Sequence, residues 1–129
     1  MPSADWRTTG GSQFEVRRIY DANAADGSYR VLVDRLWPRG VSKREAALDE
    51  WAKELAPGSE LRRWYGHDPS RFGEFARRYR DELRSEQASD AIARLRTIAR
   101  NNRITLVTAT RDVEHSGAHV LRDILRATD

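Results

Sequence analysis

Two short loops in this sequence carry side chains that could bind an anion or transfer a proton. The first loop, DRLWPRG at residues 34–40, holds an acid, two arginines and an indole: Asp34, Arg35, Arg39 and Trp37. The second loop, RDVEHSG at residues 111–117, holds an arginine, two acids and a histidine: Arg111, Asp112, Glu114 and His115. Arginine presents a planar fork that suits phosphate and carboxylate, and histidine titrates near neutral pH. This combination is typical of a site for an anionic ligand, with groups available for general acid–base work.

Each loop follows a short apolar segment that is predicted to be a strand. YRVLVDRL (29–36) contains a run that favours burial on both faces, and RITLVTAT (103–110) is rich in β-branched residues. QFEVRRIY (13–20) is predicted to be an additional strand. Helical segments separate the second and third strands, so their connection is a crossover and they are parallel. Parallel strands gather function at their carboxyl ends, and we therefore expect the two loops to face each other there.

Helical signals occupy most of the remaining sequence. Residues suited to begin a helix recur along the chain: Ser42, Ser59, Asp68, Ser89 and Ser116. The first predicted helix would bury Leu48, Trp51 and Leu55, which are spaced by three and four residues. The predicted order β-β-α-α-α-α-β-α indicates an α/β fold, in which a small three-stranded, parallel-core sheet is flanked by helices in a three-layer α/β/α arrangement.

Length and composition are those of one intracellular domain. The chain has 129 residues, and we expect residues 1–12 to be a flexible polar tail, containing Trp6, and residues 13–129 to form a single domain. No run approaches about 18 uncharged apolar residues, and the N-terminus lacks an apolar signal core. We therefore expect no contact with a membrane and a cytoplasmic location. The absence of cysteine excludes disulfides, thiolate nucleophiles and cysteine-ligated metals.

The positive charge comes almost entirely from arginine. The net charge is +3, and only Lys43 and Lys53 are lysines. A GC-rich genome would produce this bias without an anionic partner, since net charge reports on non-specific attraction rather than function. The arginine-rich segment 76–84 also contains Asp81 and Glu82, which favours a solvated face with ion pairs over a nucleic-acid contact.

The start of the last predicted helix could complete an anion site. Ser116 is followed by small residues that leave backbone N–H groups open, and a helix N-terminus favours negative charge. Ser116 itself is expected to cap the helix. His115 and His119 are four residues apart, but His115 precedes the helix, so no metal site is predicted. No dinucleotide-binding, phosphate-loop or nucleophile-elbow motif is present, and we predict no cofactor.

Long stretches of this sequence resemble a known protein family. YRVLVDRLWPRG with LAP, LRRWYGHDP and RDVEH resembles the domain-of-unknown-function family 488, in its short YeaO-like branch, over about residues 16–126. The resemblance implies a small bacterial or archaeal cytoplasmic α/β protein with no established activity. It also adds the segment from Trp64 to His67 to the residues of interest.

The chain departs from that family pattern after its last strand. Longer relatives carry cysteines and a His-Arg pair where this chain has Ser116, Gly117 and Ala118. Short-branch proteins often have Asn-His at the position of Ser116 and Gly117. The resemblance therefore implies that thiol chemistry cannot operate here, and it weakens the case for catalysis by the loop histidines.

These observations lead to one preferred hypothesis and two alternatives. We expect a pocket for a small anionic ligand, phosphate-bearing or nucleotide-like, whose binding residues are Arg35, Trp37, Arg39, Trp64, Arg111 and Ser116. Any proton transfer would fall to Asp34, His67, Asp112 and His115. The alternatives are a nucleic-acid-binding module that uses the basic surface, and a scaffold protein in which these residues form a buried polar network. The sequence leaves open whether a reaction follows binding, and it leaves the oligomeric state open.

Overall fold

A computed structural model describes residues 13–20 and 27–127 of the chain. Four strands form one parallel sheet in the order β1-β4-β2-β3. Their bounds are Phe14–Arg18 for β1, Tyr29–Leu32 for β2, Glu50–Trp51 for β3 and Ile104–Thr108 for β4. The predicted single-domain α/β fold with a parallel sheet is therefore confirmed. The predictions for the tail at residues 1–12, including Trp6, lie outside the described residues.

Five helices surround the sheet in this part of the chain. They are α1 at Lys43–Ala46, α2 at Ser59–Tyr65, α3 at Phe72–Glu82, α4 at Glu86–Ile98 and α5 at Gly117–Arg126, with 3-10 turns at Lys53–Leu55, Pro69–Arg71 and Val113–His115. Ser116 caps α5 as predicted, and Asp68 caps the 3-10 turn that leads into α3. α4 begins at Glu86, before the predicted start at about Ser89, and its cap is Ser85. The prediction that Ser59 caps α2 is wrong, since the cap is Gly58, whose N–H donates to the Glu82 carboxylate at 2.8 Å. Among residues 13–20 and 27–127, no helix is both long and apolar enough to cross a bilayer.

The prediction of one helix from Ser42 through Leu55 is wrong. The capping box between Ser42 and Glu45 is present, but α1 ends at Ala47, whose φ of 48° is left-handed. The chain then forms β3, the fourth strand of the sheet. Its flanking amides at Asp49 and Ala52 donate to main-chain carbonyls of β2 at 2.9 and 2.8 Å. Apolar residues spaced by three and four positions occur both in a helix and in a turn followed by a short strand, so the spacing does not distinguish the two. Here residues 50–51 form a strand because they pair with the edge of β2.

The two faces of the sheet are covered unequally. One face carries the larger core, in which apolar side chains of α2, α3, α4 and α5 pack on Val31, Ile104 and Leu106. The other face carries a small cluster around Ala46 and Val107, closed by α1 and by the loop that follows β2. The three layers are thus present, with one of them thin.

Arg30 holds the thin layer to the sheet. This strand residue is 2% exposed, and its guanidinium donates from Nε to the Ala47 carbonyl and from Nη2 to the Ala46 carbonyl, both at 3.0 Å. These carbonyls lie at the end of α1, where intrahelical donors are lacking and positive charge is favourable. The amide of Arg30 also donates to the Asp49 carboxylate at 2.8 Å. The buried cation therefore fixes the position of α1 and of the turn leading into β3.

We predict that Arg30→Ala lowers the free energy of unfolding by about 3 kcal/mol, because two carbonyls lose a charged donor and a cavity remains. Urea unfolding followed by circular dichroism measures this change. Arg44→Ala removes an exposed arginine from α1 itself and is expected to alter the free energy of unfolding by less than about 0.5 kcal/mol. Equal stability of the two variants would show that Arg30 does not anchor α1.

Candidate functional site

The carboxyl ends of the strands open onto a cavity of about 500 Å³. The loop after β2, the loop after β4 and the first residues of α5 form most of its wall. The structure thus brings together most of the residues that the sequence singled out: Asp34, Arg35, Trp37, Arg39, His67, Arg111, Asp112, His115 and Ser116. The two loops meet because β2 and β4 are adjacent and parallel.

Asp34 joins the ends of these two strands. Its Oδ1 accepts a hydrogen bond from Thr108 Oγ1, and its Oδ2 accepts one from the Ala109 amide, both at 2.7 Å. Its own carbonyl accepts from the Trp51 indole N–H at 2.7 Å, which ties β3 to the same point. Both carboxylate oxygens therefore serve the fold, and Asp34 is a poor proton carrier in this arrangement.

The environment of Asp34 disfavours its ionised form. Burial raises the pKa of its carboxyl above the ordinary value of 3.8. The hydrogen bonds from Ala109 and Thr108, and the nearby imidazole of His67, lower the pKa and offset only part of the effect of burial. The hydrogen bonds from Thr108 and Ala109 therefore stabilise the ionised carboxylate of Asp34 in its buried position.

Four arginines line the cavity without a carboxylate partner. None of their guanidinium groups forms an ion pair with a residue that the structure describes: Arg35, Arg39, Arg62 and Arg111. Arg35 is held by one hydrogen bond from Nε to the Pro57 carbonyl at 3.2 Å. Two arginines of α3 differ, since Arg77 and Arg78 both bind Glu74. The cavity wall therefore carries four cations that have no ion-pair partner among residues 13–20 and 27–127.

Asp112 and His115 form a pair at the cavity wall. The His115 Nδ1 lies 2.8 Å from Asp112 Oδ2, and the imidazole packs edge-on against Phe72. With Nδ1 bonded to the carboxylate, Nε2 is the ring nitrogen available to a ligand. The main chain is held as well, because the Tyr65 hydroxyl donates to the His115 carbonyl at 2.6 Å. The pair is therefore oriented before any ligand arrives.

His67 approaches the cavity from the segment that follows α2. Its φ of 58° is unusual for a residue other than glycine, and it follows Gly66 at φ 55°. This left-handed turn ends α2, and His67 lines the same cavity as Asp34. Neither of the two polar loops points to this segment, which the family resemblance added.

Ser116 is used by the fold. Its side-chain oxygen donates to the Val113 carbonyl at 2.6 Å and accepts from the His119 amide at 3.2 Å, and the residue is 2% exposed. Gly117 is closely packed, because a Cβ there would lie 3.2 Å from Pro57 Cγ and 3.3 Å from Tyr79 Cε2, both shorter than an ordinary van der Waals contact. The amides of the first turn of α5 have no partner within the helix, and this turn faces the cavity.

The two tryptophans that were expected to wall the site differ in position. Trp37 lines the cavity while its N–H donates to the Val41 carbonyl at 2.6 Å and its ring packs edge-on against Trp51 at 5.3 Å. Trp64 does not line the cavity; its ring lies against the guanidinium groups of Arg71 and Arg78. Glu114 is also absent from the wall.

Several wall residues were missed by sequence reasoning. Tyr20, at the end of the β1 segment, lines the cavity and donates from its hydroxyl to the Arg39 carbonyl at 2.9 Å. The parallel pairing of β1 with β4 places it at this rim, so a correct strand order would have found it. Arg62 and Tyr65 lie on α2, and nothing in their local sequence shows which face of that helix meets the sheet. No group of three or more histidine and carboxylate side chains within the described ranges is arranged to hold a metal ion.

We predict that Asp34 and Asp68 titrate on opposite sides of 3.8. Asp34 should titrate above this value because it is buried, and Asp68 below it because its exposed carboxylate accepts from Ser70. Carbon-detected NMR titration of the side-chain carboxyl groups measures both. An Asp34 midpoint at or below that of Asp68 would contradict the buried clamp.

The same shift predicts a pH dependence of stability. The folded state holds the Asp34 proton more tightly than the unfolded state. The contribution of Asp34 to the free energy of unfolding therefore falls as the pH rises from 3.8 through the raised pKa of the folded state. The variant Asp34→Asn should lose that component. Urea unfolding at a series of pH values tests it, and identical pH profiles for the two proteins would rule it out.

Comparison with known proteins assigns the chain to a family. Residues 13–128 match the family model described as "Inactive DUF488-N3 subclade". Uncharacterized proteins of Mycobacterium tuberculosis and Mycobacterium bovis are each 45% identical over 88% of this chain and 94% of their own length. The uncharacterized protein YeaO of Escherichia coli is 37% identical over 88% of this chain and 96% of its length. No solved structure matches the chain. The chain therefore belongs to the DUF488 family, in its YeaO-like, inactive N3 subclade.

Proposed function

We propose that this protein binds a small nucleotide-like anion in the cavity at the strand ends and does not convert it chemically. One observation carries the proposal: four arginines surround a single cavity, and within the described chain none has an acidic partner. The two acids at the wall are engaged elsewhere, Asp34 with the end of β4 and Asp112 with His115. A phosphate would supply the missing negative charge through charge-assisted hydrogen bonds.

The apolar part of the wall favours a nucleotide over inorganic phosphate. Tyr20 is 45% exposed and Leu36 is 61% exposed, and they are the large hydrophobic residues of the described chain that stand out to solvent. Both line this cavity, together with the indole of Trp37. A ligand with a flat apolar ring beside its anionic group would cover these residues.

Two features support binding without turnover. The groups best suited to chemistry are held by the fold, since both oxygens of Asp34 and the hydroxyl of Ser116 are hydrogen-bonded within the protein. The family model that matches the chain is described as inactive. In this proposal His115 binds phosphate as an imidazolium, in which Nδ1 donates to Asp112 and Nε2 donates to a phosphate oxygen.

We predict that Arg39→Ala weakens binding of a nucleoside monophosphate or diphosphate by about ten-fold or more, because a charge-assisted contact is lost. The melting temperature should change by less than about 3 °C, since Arg39 is exposed. Isothermal titration calorimetry against a panel of such nucleotides and inorganic phosphate measures the affinities. Arg63→Ala is the matched control, because this exposed arginine neighbours Arg62 but does not line the cavity.

Three results would contradict parts of the proposal. Wild-type protein that binds no member of the panel, or an Arg39→Ala variant with wild-type affinity, would remove the site. Phosphate bound as tightly as every nucleotide would remove the role of the apolar wall. Accumulation of a new species from a bound nucleotide, followed by phosphorus and proton NMR, would show turnover.

A further inference from the structure

A second basic recess runs along the outer edge of the sheet. Its volume is about 330 Å³, and it lies between β1 and α5. Four arginines and one acid line it: Arg17, Arg18, Arg122, Arg126 and Glu15. Because β1 is the edge strand, the recess is a groove with the strand on one side and the helix on the other.

Arg122 has an unused donor in this groove. Its Nε is buried and has no hydrogen-bond partner among residues 13–20 and 27–127, while its Nη2 lies 3.2 Å from His119 Nδ1. Buried polar groups almost always have a partner, so an exception points to a missing acceptor. Arg126 contacts the strand through a hydrogen bond from Nη2 to the Phe14 carbonyl at 3.3 Å. The groove is therefore built around cations that the helix holds against the strand.

The groove and the cavity meet at one contact. Arg18 lines the groove, Tyr20 lines the cavity, and the Arg18 guanidinium carbon lies 4.7 Å from the centre of the Tyr20 ring. This contact places the end of the groove next to the cavity at the carboxyl end of the sheet. We call this combined surface the basic track.

The positive charge of the protein is localised on the basic track. Eight arginines and three carboxylates line its two parts, an excess of five, whereas the whole chain has a net charge of +3. All remaining residues together are therefore net acidic. A general bias toward arginine codons would raise the charge everywhere, and it does not explain this distribution.

We propose that the basic track binds single-stranded nucleic acid, with one nucleotide in the cavity and the adjoining phosphates along the groove between β1 and α5. This inference rests on the proposed function of the cavity and extends its ligand from a nucleotide to a strand. Proteins that bind single strands combine a basic groove with rings on which bases stack, and Tyr20 and Trp37 supply such rings. A duplex is read by a protruding helix or ribbon, whereas these arginines line recesses.

The decisive experiment removes charge from the groove and leaves the cavity intact. Fluorescence anisotropy of a labelled single-stranded oligonucleotide of about 12 residues gives affinity as a function of salt for the full-length protein. For the double variant Arg122→Gln with Arg126→Gln, the oligonucleotide affinity should fall about ten-fold and the log–log salt slope should shrink by about 1.4. Binding of a nucleoside monophosphate should remain at the wild-type level.

Matched variants distinguish the loss of a contact in the groove from a change in the net charge of the protein and from unfolding. The double variant Arg77→Gln with Arg78→Gln removes the same charge from α3, where both arginines bind Glu74, and should leave the slope unchanged. Replacing Arg122 and Arg126 by lysine should retain most of the slope. If the glutamine double variant does not fold, the single variant Arg126→Gln, at an exposed position of α5, gives the same test, with a slope smaller by about 0.7.

The possible outcomes distinguish this inference from the proposed function. Wild-type protein that binds the monophosphate but gains no affinity for the strand would overturn the inference and leave the cavity proposal standing. Absence of binding to either would overturn both. Equal loss in the α3 control, tighter binding of a duplex of the same sequence, or equal competition by polyglutamate would each overturn recognition of a single strand by the basic track.

Discussion

The carboxylate of Asp34 determines how the strand ends are arranged. It accepts hydrogen bonds from Thr108 and Ala109, so the chain leaving β2 is fastened to the chain leaving β4. The Trp51 indole donates to the carbonyl of the same residue, which adds β3 to the junction. An acid is suited to this place because it can accept two bonds at once from donors that would otherwise be unpaired. The acid at the start of this polar loop is therefore explained by the joining of strands, whether or not the proposed ligand binds.

Because the strand ends are joined, the arginines that follow them in the sequence lie in the wall of one cavity. Arg35 and Arg39 come from one loop and Arg111 from the other, and the acids nearest to them are committed to internal hydrogen bonds. Arginines elsewhere in the structure have other partners: Arg77 and Arg78 of α3 bind Glu74, and Arg30 is buried against the end of α1. The same residue type thus occurs in three settings: unpaired in the cavity wall, paired with a carboxylate on a helix, and buried against main-chain carbonyls.

A family described as inactive still keeps a well-formed cavity here. The proposed role in binding without turnover fits both observations, because side chains suited to proton transfer or nucleophilic attack are held by the fold. Asp34 and Ser116 are bonded within the protein, and Gly117 is confined by Pro57 and Tyr79. The wall also presents arginines, the imidazole of His115 and a hydrophobic rim, which are the groups that the proposal assigns to the ligand.

The sequence alone determined the parallel strands, the last helix with its Ser116 cap and the meeting of the two loops, because these follow from short-range patterns and from the handed connection between parallel strands. It could not determine that residues 50–51 form a strand, because the spacing of Trp51 from its apolar neighbours also fits a helix. These residues form a strand because they pair with the edge of β2, which is distant in the sequence. Nor could it show that Tyr65 rather than Trp64 faces the cavity, or that Arg62 joins the wall. Those outcomes depend on how α2 rotates against the sheet, and only long-range packing decides that rotation.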